Sequence, residues 1–299
     1  MTPHAASAIL SGHIKRSLQV TEVRPLHGGM VNTVEEWVTN GTPASVVAKI
    51  SPTPEHPGLG EEYRMLDWYR SNTTFPVPRP YAWVTGDPAF GGTVLLMEKL
   101  EGRHLGAARL TARGMARVQT ELAEHLAELH EYTRPTYGSA FDPEGHRQWL
   151  DIFQRQIQRE FSAVIDRLSP ASRSTVGRAV ARLPELMPEC DRPTLVHGDL
   201  WATNIIVDDS SPTEPHISGF VDGAARYTDV EYELAYLRVF NTADLTFFRA
   251  YTRRHALREG FEERCRIYWL NTMMLHVRVF GDEYLPRTER IAEQLAGMV

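Results

Sequence analysis

Two stretches of this 299-residue chain, LVHGDLWATNIIV (Leu195–Val207) and FVDGA (Phe220–Ala224), hold side chains whose types and spacing suit the movement of a phosphoryl group. His197 stands two residues before Asp199, Asn204 follows Asp199 by five, and Asp222 comes after a second apolar run. That order, His-x-Asp-x-x-x-x-Asn and then an Asp-Gly turn, is the order of groups in a phosphoryl-transfer loop. The chemistry asks for one carboxylate beside the attacking hydroxyl, here Asp199. It also asks for a second carboxylate and a carboxamide, Asp222 and Asn204, to hold Mg²⁺ against the phosphates of ATP. Each group borders a short apolar run (TLVH, NIIV, ISGFVD), so strand ends would hold it in place. A lone Asp beside Gly is an ordinary turn residue. The reading rests on the ordered set and on its context.

The context lies upstream. PLHGGMVNTVEEWV (Pro25–Val38) reads as turn glycines followed by a strand, and ASVVAKI (Ala44–Ile50) as a second strand carrying Lys49. Gly28 and Gly29 would let backbone N–H groups approach phosphate oxygens closely, although a plain hairpin turn uses the same residues. Lys49 is one of three lysines (Lys15, Lys49, Lys99) among 32 basic residues. A compact ammonium at that place suits the α- and β-phosphates of ATP, whereas a surface lysine would merely snorkel. Its carboxylate partner is sought in GEEYRMLDWYR (Gly60–Arg70), which reads as a helix. Glu62 is favoured because it lies one turn before Leu66 and can face inward with it; Glu61 is the alternative.

Residues 1 to about 95 otherwise read as strands with one helix, ending in the buried-type strand TVLLM (Thr93–Met97). The remainder turns helical: 108–131 (Val118, Leu122, Leu126 and Leu129 on one face), 149–168, 172–186, 231–241, 244–255, 261–280 and 286–297. The expected organisation is a β-rich nucleotide lobe (1–97), a hinge (98–102) and a helical catalytic and substrate lobe (103–299). The nucleotide is expected in the cleft between lobes, with main-chain groups of Glu98 to Leu100 on the adenine.

Composition narrows the class. Hydrophobic residues make up 42% and charged residues 23%, ordinary values for a globular domain. No apolar run approaches a membrane span, and the first residues do not form a secretory leader, so a cytoplasmic protein is expected. Cys190 and Cys265 have no metal spacing and no disulfide framework. The net charge of −6 argues against nucleic acid and is compatible with a cationic small molecule. No protein partner is implied. His125 and His130 read as partly buried or surface residues. Trp201 would either stack on a substrate or fill the loop's core. In DVEYEL (Asp229–Leu234), Asp229 is a plausible N-cap, and Glu231 and Glu233 suit the positive end of a helix; holding a cationic substrate is the other use of such a run.

The chain resembles the aminoglycoside phosphotransferase and fructosamine kinase superfamily along nearly its whole length. HGDLWATN (His197–Asn204), VDGAARYTDVEYELAYL (Val221–Leu237), GGMVN (Gly28–Asn32), VVAK (Val46–Lys49) and LLMEKLEG (Leu95–Gly102) carry the resemblance. It implies an α+β, protein-kinase-like two-lobe fold, with a small β-rich N-lobe and a larger helical C-lobe. It also implies Asp199 as base, Asn204 and Asp222 as magnesium ligands, a Lys49–Glu62 ion pair on the phosphates, and nucleotide contacts from Gly28, Gly29, Asn32, Glu98 and Leu100. The Asp-Gly-Ala turn at Asp222 departs from both the Asp-Phe-Gly-like and the Asp-Pro-Ala forms of the superfamily; the tail (261–295) looks like its fructosamine-kinase end. The expected activity is ATP-dependent O-phosphorylation of a hydroxyl on an amine-rich small molecule. The acceptor expected first is an antibiotic, an aminoglycoside or a tuberactinomycin-type cyclic peptide. The alternatives are a fructosamine (ketosamine) kinase and a non-catalytic pseudokinase.

Overall fold

The computed structural model of the chain describes residues 1–14, 17–26, 32–54, 56–86 and 90–299. In chain order its helices and strands are α1 (Pro3–Ile14), β1 (Val20–Leu26), β2 (Thr33–Thr39), β3 (Ser45–Ser51), α2 (Pro57–Asn72), β4 (Pro80–Thr85), β5 (Thr93–Glu98), β6 (Arg103–His104) and α3 (Ala112–Leu129). Then come β7 (Gly138–Ser139), α4 (Trp149–Val164), α5 (Pro170–Ala181), α6 (Leu183–Leu186), β8 (Thr194–Val196), β9 (Ile205–Asp208), β10 (His216–Phe220) and β11 (Arg226–Thr228). The chain closes with α7 (Val230–Val239), α8 (Leu245–Tyr251), α9 (Phe261–Phe280) and α10 (Leu285–Leu295). It divides into two compact units, one of Met1–Val118 with Ala202–Ala224, the other of Gln119–Trp201 with Ala225–Val299.

The first unit is built on an antiparallel sheet in the order β1-β2-β3-β5-β4. Strand β3 reads as a continuous apolar run, and its residues from Val46 to Ser51 are buried, because both faces of the sheet are covered. Val46, Ala48 and Ile50 join Trp37, Val94 and Leu96 in a core closed by Ala6, Ile9 and Leu10 of α1. Helix α1 is a departure from the single helix expected in this region. Its apolar residues do not form a clear stripe along one face, and the packing of Ala6, Ile9 and Leu10 on the sheet supplies the stability that so short a helix lacks alone. With alternate residues pointing to opposite faces, Val47 and Lys49 lie on the other face of β3. The same unit holds a small sheet in the order β10-β9-β6. Gly102, at φ +98, is needed there: a Cβ would sit 2.0 Å from the Val207 carbonyl oxygen.

The second unit is helical, with a three-stranded sheet in the order β7-β11-β8. Helix α9 covers the range expected from sequence. Leu122, Leu126 and Leu129 of α3 are fully buried, as their spacing requires. The helix expected over 172–186 breaks at Arg182, since Pro184 has no N–H to continue the ladder and is tolerated only in the first turn of α6. No helix among the described residues is long and apolar enough to cross a membrane.

Candidate active site

The first unit assembles the cationic and metal-type groups. Lys49 pairs with Val34 on β2 and Leu95 on β5 in the centre of the sheet, and is buried. Its Nζ lies 2.6 Å from Glu62 Oε1 on α2 and also donates to the Asp222 carboxylate. Glu61 is exposed and takes no part. Helix α2 starts at His56, whose ring accepts the Leu59 N–H at 3.4 Å. Burial opposes the charge on Lys49, but Glu62 and then Asp222 outweigh it and raise the pKa of the ammonium above its ordinary value. Lys49 is therefore a fixed cation at neutral pH.

Asn204 is buried at the start of β9. Its carbonyl accepts the Val221 N–H at 3.0 Å, tying the chain at Asn204 to the residue before Asp222. Asp222 is in the left-handed region at φ 60, which Asp tolerates better than most residues, and its side chain is 41% exposed. Backbone of this kind recurs at sites that hold ligands. The two side chains offer carboxamide and carboxylate oxygens, hard donors suited to Mg²⁺, which usually completes its shell with phosphate oxygens and water. Among the described residues no three His, Cys, Asp or Glu side chains gather as a metal site. Asn32 is half-buried at the bend before β2. Glu98 ends β5 and its carboxylate accepts the Arg79 N–H at 2.9 Å. Leu100 is half-buried two residues on, its carbonyl 3.5 Å from Lys99 Nζ. Gly28 and Gly29 lie outside the described residues.

The second unit carries Asp199, half-buried in the loop after β8. Gly198 before it is at φ +89, a conformation that L side chains rarely adopt, so the loop turns there because the residue is glycine. The Asp199 N–H lies 3.4 Å from Nδ1 of the fully buried His197. Two residues of α7, unrecognised from sequence, grip this loop. Glu233 accepts the Gly198 N–H at 2.7 Å with one oxygen and meets His130 Nε2 at 3.0 Å with the other, while His130 Nδ1 lies 2.7 Å from the Tyr251 hydroxyl. One turn later, Tyr236 donates its hydroxyl to Asp199 Oδ1 at 2.5 Å. Residues three apart share a helix face, so Glu233 and Tyr236 could have been linked once helix 231–241 was read. Their target could not, because it comes from another element.

Other sequence expectations change here. His130 is fully buried and hydrogen-bonded, not partly exposed. Asp229 does cap α7, accepting the Glu231 N–H at 3.0 Å. However, Asp229, Glu231 and Glu233 are almost fully buried. Asp229 pairs with Arg258, and Glu231 with Arg258 and Arg264. They are internal ties and do not form an acidic face for a cationic acceptor. Trp201 is half-buried, its ring 6.2 Å from that of Phe240.

Comparison with solved structures defines the class. A Thermobifida fusca structure, provisionally assigned as a fructosamine-3-kinase, superposes with a TM-score of 0.74 at 21% identity over 98% of each chain. A thermostable mutant of an aminoglycoside phosphotransferase gives 0.68 at 17% identity, again over 98% of each chain. The fold is protein-kinase-like. The chain belongs to the fructosamine kinase family, whose profile matches residues 2–297. Similar proteins include the ketosamine-3-kinase of Mus musculus (25% identity, 95% of this chain and 98% of that one) and a chloroplastic protein-ribulosamine 3-kinase of Arabidopsis thaliana (23%, 90% and 81%). The protein is accordingly a small-molecule kinase, and the pseudokinase alternative falls.

Proposed function

We propose that this protein is an ATP- and Mg²⁺-dependent ketosamine kinase, which phosphorylates a hydroxyl of a ketose joined to an amine. The observation that carries the proposal is the family match along essentially the whole chain. The antibiotic acceptor expected first from sequence has weaker support. Its solved counterparts share the fold at under 20% identity, and the acidic side chains of α7 are consumed internally.

In this reading Asp199 accepts a hydrogen bond from the acceptor hydroxyl and takes its proton late, as a loose phosphoryl transition state requires. Lys49, kept charged by Glu62, exchanges its contact with Asp222 for the α- and β-phosphates. Asp222 and Asn204 would hold Mg²⁺ through their carboxylate and carboxamide oxygens, and the bound ion would supply positive charge to the phosphates. Main-chain groups of Glu98 to Leu100 bind adenine, and Gly28, Gly29 and Asn32 approach the phosphates. Lobe boundaries at 97 and 102 belong to the same proposal. Glu233 holds the loop under Asp199, so much of the rate comes from positioning and electrostatics.

The test is a panel of acceptors with Mg·ATP, read by mass spectrometry. A fructosyl- or ribulosyl-lysine derivative should gain one phosphate, and aminoglycosides and capreomycin-type peptides should not. An antibiotic that gains mass while the ketosamines do not would overturn the proposal.

A further inference from the structure

The hydroxyl of Tyr236 sits where an acceptor's hydroxyl is needed. A kinase base must receive an O–H hydrogen bond on its carboxylate, and in this structure Asp199 Oδ1 already receives one, at 2.5 Å, from the protein itself. Burial, followed by the nearby Asp199 charge, pushes the Tyr236 phenol far above its ordinary range, so it remains a donor at any working pH. The ring is also held in place. It packs on Phe240 with centroids 4.8 Å apart, and Phe240 in turn meets His276 at 5.1 Å and lies under the Arg287 guanidinium at 5.8 Å. Tyr236 as a whole is half-buried.

We propose that Tyr236 is a resident stand-in for the acceptor hydroxyl: it occupies Asp199 until an acceptor displaces it, and so determines which hydroxyls reach the base. The inference rests on the reading of Asp199 as the base. Its consequence is selectivity against water. Without an acceptor, a water on Asp199 could attack the γ-phosphorus; the bond to the bridging oxygen of ADP would break, and the water's proton would pass to Asp199. Tyr236 denies water that position. A true acceptor must offer binding contacts enough to replace one hydrogen bond to a charged group.

The experiment compares wild type with Tyr236→Phe, which keeps the ring packing, and with Tyr236→Leu, which does not. Acceptor-free hydrolysis of Mg·ATP should rise by roughly tenfold in both, the scale of one charge-assisted hydrogen bond. The KM for a fructosyl-lysine derivative should fall by a similar factor in Tyr236→Phe. Adding Asp199→Asn to Tyr236→Phe should abolish the extra hydrolysis. A fall in kcat with hydrolysis and KM unmoved would make Tyr236 a mere support for Asp199 and overturn the inference. So would extra hydrolysis that survives Asp199→Asn. The reading of Asp199 as base fails separately, by near-normal phosphorylation in Asp199→Asn alone. The hydrolysis readout needs no acceptor, so it judges Tyr236 even if the ketosamine proves the wrong substrate.

Discussion

Lys49 carries charge where burial opposes it, and Glu62 and Asp222 keep it there. Removing it therefore does two things: the phosphates lose their point charge, and two carboxylates lose their shared cation. Lys49→Ala should raise the KM for ATP and lower kcat together. Lys49→Arg should restore little, because a planar fork cannot take the place of a compact ammonium between two carboxylates; full activity in Lys49→Arg would remove Lys49 from a close phosphate contact. Asp199→Ala should cut turnover by roughly 10²–10⁴-fold, the range of a general base, with Mg·ATP affinity nearly intact in calorimetry. Asp222→Asn should do the opposite at the binding step and weaken Mg·ATP affinity along with turnover. Normal Mg·ATP titration of Asp222→Asn would end its assignment as a metal ligand.

Helix α7 is the element that organises the Asp199 loop. It starts at the Asp229 cap, and on one face it sends Glu233 to the loop backbone and Tyr236 to Asp199. Glu233→Ala would leave the half-buried Gly198 N–H and the buried His130 Nε2 without the partner they have now. Each such group costs roughly 1–3 kcal/mol, so urea melts should show a loss of that order per group together with a fall in kcat. His130 makes the same element sensitive to acid. Burial lowers its pKa, and Glu233 only partly restores it, so the folded ring stays neutral where the unfolded one takes a proton, near pH ~6.5. The unfolded state then binds more protons, and stability must fall as pH drops through that value. His276, also lowered by burial, adds to the same slope. Urea midpoints at about pH 7.5 and about pH 5.5 should differ less in His130→Gln than in wild type. An undiminished difference would place the acid sensitivity elsewhere.

At the scale of the whole molecule, the net charge is −6. The acidic run closest in sequence to the catalytic segment is spent on Arg258, Arg264 and the loop backbone. Long-range attraction of a cationic acceptor should thus be weak. Acceptor KM should stay nearly flat between about 0.1 and 1 M salt, over which the Debye length shrinks from about 10 to 3 Å. A steep rise in KM would restore an electrostatic acceptor site and with it the polycationic substrate.

The sequence alone determined the fold class and most of the elements that position the candidate site. His197, Asp199, Asn204 and Asp222 stood out as candidates because phosphoryl transfer needs groups of these types in this order. Helices α3 and α9 were legible because long amphipathic or buried patterns repeat often enough to be counted. Lys49 and Glu62 were legible because they were the scarce lysine and the inward-facing acid on the neighbouring helix. Helix α1 was not, since its apolar residues show no clear helical stripe and gain their stability against the sheet. Nor was the fate of the acidic run in α7: the same Glu231 and Glu233 could serve a helix dipole, a ligand or an internal tie, and only the arginines and the loop brought to them through the fold made the choice. The Tyr236–Asp199 contact belongs to that class. Thirty-seven residues separate the two side chains, local spacing says nothing about a pair so far apart, and only tertiary structure could bring a phenol onto the Asp199 carboxylate.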